Sequence, residues 1–174
     1  MLLAQADSLG LWRIVQKPLN HSVLMDLLSD AAQAVEDADD GPRGTPDLGG
    51  NRVLLVEDNL MNREIGRELL KNANIDVDVA ENGEEAVLKF VQQEPGTYQL
   101  ILMDLQMPVM DGFTATRQIR ACGRADGKEI PIVALTANAY PSDVNQSLAA
   151  GMNAHAAKPI DPDALYALLQ KYME

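Results

Sequence analysis

Short apolar runs alternate with amphipathic stretches along most of the chain after residue 50. Five of these runs predict strands, at residues 52–56, 75–80, 100–103, 132–135 and 154–157. The amphipathic stretches predict helices at residues 60–73, 83–93, 113–121 and 142–150, with a last one near the C-terminus. The last helix is predicted to begin at Asp161, an N-cap residue that is followed by Pro162 at the first helical position.

Three of the predicted helices show a clear apolar face. In the first helix Met61, Ile65, Leu69 and Leu70 recur at helical spacing. In the second helix the inward residues are predicted to be Ala86, Val87, Phe90 and Val91. In the last helix the apolar stripe consists of Leu165, Leu168, Leu169 and Tyr172.

Strands that alternate with helices indicate an α/β fold in which a doubly wound parallel sheet is covered on both faces. Most of the strand segments are continuously apolar, which is typical of strands buried on both sides. The main alternative is another doubly wound architecture of similar size.

Residues with chemically useful side chains follow the predicted strands. Glu57 and Asp58 follow the first strand, and Asp104 ends the third. Thr136 follows the fourth strand and Lys158 the fifth. Because the carboxyl ends of parallel strands meet at one edge of the sheet, we expect these side chains to share one crevice.

Three carboxylates in one crevice raise each other's pKa unless a cation neutralises them. Oxygen ligands alone favour a hard cation, and Mg²⁺ typically takes one or two carboxylates together with water and phosphate oxygens. A carboxylate can also act as a nucleophile and form an aspartyl phosphate. Phosphoryl transfer then requires positioning and charge neutralisation, for which Lys158 offers charge and Thr136 a hydrogen bond.

The motifs around these residues resemble the receiver (response regulator) family. Residues 53–59 (VLLVEDN) are similar to its first strand and acidic pair, and residues 101–112 (ILMDLQMPVMDG) to its phosphoacceptor strand and loop. Residues 131–137 (PIVALTA) and Lys158–Pro159 match its fourth strand and its Lys-Pro pair, whose peptide bond is usually cis. The resemblance covers residues 51–174 and implies a flavodoxin-like sheet with strand order 2-1-3-4-5.

The resemblance also implies the ligands of a Mg²⁺ ion. Asp58 is expected to bind the ion directly and Glu57 to assist through water. The ligand set is completed by the phosphoacceptor Asp104 and by the backbone carbonyl of Gln106.

The same resemblance implies the residues that act on the phosphoryl group. Asp104 is expected to accept it, and Thr136 and Lys158 to contact its oxygens. Thr136 would also take part in switching, together with the residue three before the lysine. That residue is often aromatic in the family but is His155 here, which puts the coupled threonine–aromatic switch in doubt.

The segment around Asp104 is most similar to receivers of hybrid sensor kinases. We therefore expect a phosphorelay module that takes a phosphoryl group from phosphohistidine and passes it on or switches partner affinity. Expected partners are a histidine kinase transmitter domain and a histidine phosphotransfer domain. The alternative is a degenerate receiver that serves as a docking module. A hydrolase is disfavoured, because aspartate-based phosphatases commonly carry a second aspartate where Gln106 stands.

Composition limits the partners and the cellular locations that we expect for the domain. The formal net charge of −12 argues against direct binding to nucleic acid. A single cysteine and the absence of a signal-peptide pattern fit a cytoplasmic location. No apolar stretch is long enough to span a membrane, although a longer parent protein could be anchored in the inner membrane.

The sequence leaves open whether the domain dimerises. Enzymatic activity beyond the receiver's own phosphorylation and dephosphorylation would belong to a parent kinase.

The first fifty residues divide into two predicted segments. Residues 36–50 are rich in Gly, Pro and Asp and are predicted to be a linker. Residues 16–28 align with residues 157–169, with Lys-Pro and the following leucines in register. Residues 1–35 are therefore interpreted as the last strand and helix of a preceding receiver-like domain. The alternative is an unrelated amphipathic helix that docks elsewhere.

Overall fold

The computed structural model describes residues 45–137 and 141–173. The strands in these residues are β1 (Arg52–Val56), β2 (Asp76–Ala80), β3 (Leu100–Asp104), β4 (Ile132–Thr136) and β5 (Ala154–Ala157). The helices are α1 (Leu60–Asn72), α2 (Gly83–Gln92), α3 (Gly112–Ala121), α4 (Ala125–Glu129), α5 (Pro141–Ala150) and α6 (Pro162–Met173). The strand and helix predicted within residues 1–35 lie outside the described residues.

All neighbouring strands are parallel, and their order is β2-β1-β3-β4-β5. This confirms the predicted fold class and strand order. The register pairs Asp104 with Leu135 and Thr136 with Ala157, so the ends of β3, β4 and β5 lie side by side. None of the described helices is long and apolar enough to cross a lipid bilayer.

The core forms two layers, one on each face of the sheet. Along β1, Leu54 and Val56 belong to the layer that contains Phe90 and Ile119 of α2 and α3. The alternate residues of β1 belong to the opposite layer, which contains Leu70 of α1 and apolar residues of α6. This alternation follows from the two-residue period of a strand. The α6 stripe is confirmed, since Leu165, Leu168, Leu169 and Tyr172 all belong to or pack against the second layer.

Two helices present apolar residues to solvent. Val91 of α2, which was predicted to point inward, is 41% exposed, while Ala86 and Phe90 are buried as expected. The side of α1 that packs on the sheet contains Gly66, where an added Cβ would lie only 3.1 Å from Leu55 Cδ2 of β1. Because the side of α1 that carries Gly66 faces the sheet, Met61 and Ile65 of the predicted apolar face point outward and are 69% and 46% exposed, whereas Leu70 is buried.

The segment between α3 and β4 contains the short helix α4, which Arg124 connects to the end of α2. The guanidinium donates hydrogen bonds to the Phe90 and Gln93 carbonyls at 2.8 and 2.7 Å. It also pairs with the Asp126 carboxylate at 2.6 Å. The sequence offered no helical period there because the helix has only five residues.

Part of the predicted linker packs onto the domain. Leu48 is 7% exposed and belongs to the core layer beside α1. Its backbone N–H donates to the Ala73 carbonyl at 2.9 Å, and Asp47 accepts a hydrogen bond from Asn74 at 3.0 Å. The packed domain therefore begins at least three residues before Asn51, where the sequence placed its start.

Replacement of Leu48 by alanine tests this boundary. Because the side chain is buried, Leu48→Ala should lower the free energy of unfolding by about 2–3 kcal/mol, as large-to-small core substitutions do. Urea unfolding followed by circular dichroism would measure the change. Leu88→Ala, in which the replaced side chain is 50% exposed, is the control and should be nearly neutral. If the two variants were equally stable, Leu48 would not contribute to the core and would belong to the linker.

Candidate functional site

A cleft of about 210 Å³ lies at the carboxyl ends of β1, β3 and β4. Its wall is formed by the ends of these strands and by the loops that follow them. The lining residues are Glu57, Asp58, Asn59, Asn62, Asp104, Leu105, Gln106, Phe113, Leu135, Thr136, Ala137 and Lys158. Every predicted catalytic and metal-binding residue is in this set.

Three carboxylates converge in the cleft. Glu57, Asp58 and Asp104 each offer an oxygen, and these oxygens all lie within 4.8 Å of one another. Glu57 and Asp104 are 1% and 4% exposed, whereas Asp58 is exposed. The parallel sheet brings them together as the sequence predicted, because β1 and β3 are neighbours.

Lys158 joins the two buried carboxylates. Its ammonium nitrogen lies 2.7 Å from Glu57 Oε2 and 2.7 Å from Asp104 Oδ2. Burial by itself lowers the pKa of Lys158, but the hydrogen bonds to Asp104 and Glu57 and the charges of these carboxylates together outweigh it and raise this pKa above its ordinary value. The Lys158–Pro159 peptide bond is cis, as the resemblance implied.

The Glu57 carboxylate is held by the start of α1. Its Oε1 accepts hydrogen bonds from the Asn59 backbone N–H at 3.2 Å and from Asn62 Nδ2 at 3.3 Å. Arg63 donates to the Glu57 backbone carbonyl at 3.2 Å. Sequence reasoning missed Asn59 and Asn62. Their positions two and five residues after Glu57, at the start of a predicted helix, were the available signal.

Asp104 is positioned by its own loop. The Gln106 backbone N–H donates to Asp104 Oδ1 at 3.1 Å. Burial raises the pKa of Asp104 above its ordinary value, even though Lys158 and the Gln106 N–H stabilise the ionised form. Behind it, a Cβ at Gly112 would lie 2.2 Å from the Asp104 backbone carbonyl oxygen, so only glycine fits there.

The donor set fits a hard divalent cation. Three carboxylates supply oxygen ligands only, as Mg²⁺ prefers. Glu57 Oε2 is buried, and its partner among the described residues is the Lys158 ammonium nitrogen at 2.7 Å. One ammonium group leaves the three carboxylates with an excess of negative charge, which a second cation would neutralise.

The two predicted switch residues occupy different environments. Thr136 is 6% exposed and lines the cleft. His155 is exposed on the edge strand β5, where it pairs in register with Ala134. The structure therefore does not bring His155 into the cleft, and its role in switching stays a prediction.

Comparison with protein families decides the class of this chain. The model of the response regulator receiver domain matches residues 53–170. The chain belongs to the receiver family. As a receiver, it is a domain of two-component phosphorelay systems.

Curated relatives place receivers like this one in two kinds of protein. Two-component response regulator ORR41 of Oryza sativa subsp. japonica is 45% identical over 123 residues, which are 70% of this chain and 93% of ORR41. Hybrid signal transduction histidine kinase M of Dictyostelium discoideum is 42% identical over 120 residues, which are 68% of this chain and 5% of the kinase. The chain thus spans only a small part of such hybrid kinases.

Solved receiver structures share the fold. The receiver domain of a sensor histidine kinase from Pseudomonas aeruginosa PAO1, crystallised with magnesium coordinated in its active site cleft, is 39% identical. Its TM-score is 0.64, over 72% of this chain and 98% of that one. The Ssk1 receiver of Saccharomyces cerevisiae, crystallised with the phosphotransfer protein Ypd1, is 35% identical, with a TM-score of 0.63 over 70% and 88% of the two chains.

Magnesium should stabilise this receiver through Asp58. Binding to the folded state alone adds about 2.7 kcal/mol to the free energy of unfolding at a hundred times the dissociation constant. The melting temperature in MgCl₂, compared with NaCl of equal ionic strength, would measure this effect. It should be largely lost in Asp58→Asn.

The control for this experiment is Glu64→Gln, which removes an exposed carboxylate of α1 outside the cleft. This variant should respond to MgCl₂ as the wild type does. A rise of similar size in Asp58→Asn would instead mean that magnesium stabilises the protein without Asp58, at other carboxylates of a chain whose net charge is −12.

Proposed function

We propose that this receiver accepts a phosphoryl group from phosphohistidine on Asp104 and then passes it on or changes its affinity for a partner. The observation that carries the proposal is the buried Asp104 carboxylate with Lys158 Nζ 2.7 Å away and two further carboxylates beside it. A carboxylate in these surroundings is positioned to act as a nucleophile.

In the proposed transfer an oxygen of Asp104 attacks phosphorus, and a P–O bond forms as the P–N bond to the donor histidine breaks. The leaving imidazole nitrogen keeps the electron pair of that bond and takes up a proton from solvent. Lys158 stabilises charge on the transferred group, and Thr136 offers it a hydroxyl hydrogen bond. The Gln106 N–H holds the carboxylate in line for attack.

A magnesium ion would be held by Glu57, Asp58 and Asp104, with the Gln106 backbone carbonyl as a further predicted ligand. When bound, it supplies positive charge against the phosphoryl oxygens. The mutual distances of the three carboxylates and the solved receiver with magnesium in its cleft support this assignment.

The proposed setting is a phosphorelay with a hybrid histidine kinase. Hybrid kinases are among the relatives, and a related receiver was crystallised with a phosphotransfer protein. We propose a kinase transmitter domain and a histidine phosphotransfer domain as partners, and a cytoplasmic location. The alternative of a degenerate docking module is less well supported, because Asp104, Lys158 and the acidic pair all lie in the cleft.

Phosphorylation by a small donor tests the proposal directly. Phosphoramidate has the P–N bond of phosphohistidine but no protein surface. Incubated with it and Mg²⁺, the full chain should gain the mass of one phosphoryl group, as measured by intact-protein mass spectrometry. Asp104→Asn should gain none, because the nucleophile is missing.

The matched control is Asp111→Asn, which removes a carboxylate from the same loop. Asp111 caps α3 by accepting a hydrogen bond from Thr114 N, and asparagine can do the same. This variant should be labelled like the wild type. If the wild type gains no phosphoryl group under conditions that label a known receiver, the docking alternative is correct.

A further inference from the structure

Asn62 is a polar residue of the cleft wall to which the proposed transfer gives no role. It lies half-buried in the first turn of α1 and lines the cleft together with Asp104 and Lys158. Asparagine is a weak helix former, so helix propensity does not explain its presence there. Asn59 already caps the helix, because its side-chain oxygen accepts hydrogen bonds from the backbone N–H groups of Met61 and Asn62. The Asn62 side chain is therefore not needed as a cap.

The Asn62 amide holds one oxygen of the Glu57 carboxylate. Its Nδ2 donates to Glu57 Oε1 at 3.3 Å, and the Asn59 backbone N–H donates to the same oxygen at 3.2 Å. The other oxygen, Oε2, lies 2.7 Å from Lys158 Nζ. The last torsion of a glutamate side chain is broad and roughly two-fold, so contacts rather than rotamer preference fix this carboxylate. It is held between α1 and the lysine that follows β5.

The same contacts reach the proposed phosphoacceptor. Lys158 Nζ, which contacts Glu57 Oε2, also lies 2.7 Å from Asp104 Oδ2. A continuous chain of polar contacts therefore runs from the first turn of α1 to the residue that would accept the phosphoryl group.

An amide suits the start of this chain better than a charged group. A carboxylate only accepts hydrogen bonds, so the partner of Glu57 Oε1 must be a donor. A lysine or arginine at position 62 would compete with Lys158 for Glu57. A carboxylate there would add a fourth negative charge to the three that already converge in the cleft. Asparagine donates a hydrogen bond without changing the charge of the cleft.

Space beside the carboxylate makes this restraint necessary. Glu57, Asn62 and Lys158 also line a second cavity of about 30 Å³, whose remaining wall is formed by Ile65, Pro159 and Ile160. Without the Asn62 amide, Glu57 Oε1 would keep only the Asn59 N–H, and the carboxylate could turn toward this cavity. Lys158 would then lose the partner that fixes it beside Asp104.

We propose that Asn62 is a positioning residue that acts on phosphoryl transfer through Glu57. The inference rests on the proposed function and deepens it. Asn62 holds Glu57 Oε1 on α1, and Oε2 is thereby kept on Lys158. The lysine stays beside Asp104, and the Glu57 carboxylate stays among the oxygens that would hold magnesium. Removal of partners that orient groups at a metal site typically costs roughly ten- to a hundredfold in metal affinity or activity.

Asn62→Leu tests the proposal, because leucine has a similar size but no donor. The dissociation constant of Mn²⁺, which like Mg²⁺ prefers oxygen ligands, would be measured from the electron paramagnetic resonance signal of the free ion. It should rise roughly tenfold, the lower end of the range for such partners, since the Asn59 N–H remains. The rate of labelling by phosphoramidate at saturating Mg²⁺ should also fall roughly tenfold, because Lys158 loses its fixed position.

The matched control is Asn72→Leu, the same substitution at the exposed last residue of α1. It should leave the dissociation constant and the labelling rate unchanged. Both variants should melt close to the wild type, because leucine favours a helix more than asparagine does.

A double-mutant cycle with Glu57→Gln separates a positioning role from a direct one. The glutamine variant should fold, since it removes one negative charge from a cleft that holds an excess, and Asp58 and Asp104 still offer oxygens to the cation. In this background Asn62→Leu should change the dissociation constant less than about twofold, because the charged group through which it acts is gone. If Glu57→Gln binds Mn²⁺ too weakly for measurement, Glu57→Asp gives the same comparison, since its shorter side chain withdraws the carboxylate from Asn62.

Two results would overturn the inference while the proposed function stands. One is wild-type affinity for Mn²⁺ in Asn62→Leu. The other is an equal loss of affinity in the wild-type and Glu57→Gln backgrounds, which would mean that Asn62 acts on the ion directly or through the helix. In both cases phosphoramidate still labels the wild type. A wild type that neither binds Mn²⁺ nor is labelled removes the proposed function and the inference together.

Discussion

The site depends on one ammonium group placed between two buried carboxylates. Desolvation makes Glu57 and Asp104 costly to keep charged, and Lys158 at 2.7 Å from both compensates much of that cost. The compensation is incomplete, because Asp58 adds a third negative charge. The cleft therefore keeps an excess of negative charge, which favours a metal ion. The positive charge of that ion, together with Lys158, would then attract an anionic phosphoryl group.

The fold and most of the cleft followed from simple regularities of the sequence. Continuous apolar strands that alternate with amphipathic helices allow few arrangements besides a parallel sheet, and such a sheet gathers its strand ends at one edge. The acidic pair and Lys158 directly follow strands, and Asp104 and Thr136 are the last residues of strands. For that reason their meeting could be predicted before any distance was known.

Features that depend on how closely elements approach could not be predicted in this way. Periodicity marks the apolar residues of a helix but not which of them face the sheet, and the close contact at Gly66 decides this for α1. The hydrogen bond from Asn62 to Glu57 needs a side-chain geometry that spacing does not contain. Val109 likewise has a positive φ of 69°, a backbone conformation that a β-branched residue would have argued against.

The burial of Leu48 has a consequence for how such domains recombine. The family motifs begin at Val53, yet a core side chain is supplied from a stretch that looks like flexible spacer. A gene fusion that joined a new partner at Asn51 would keep every chemical group and lose part of the hydrophobic core. The exchangeable unit of this receiver is thus longer than its family motifs suggest, because the stretch before Asn51 supplies part of the core.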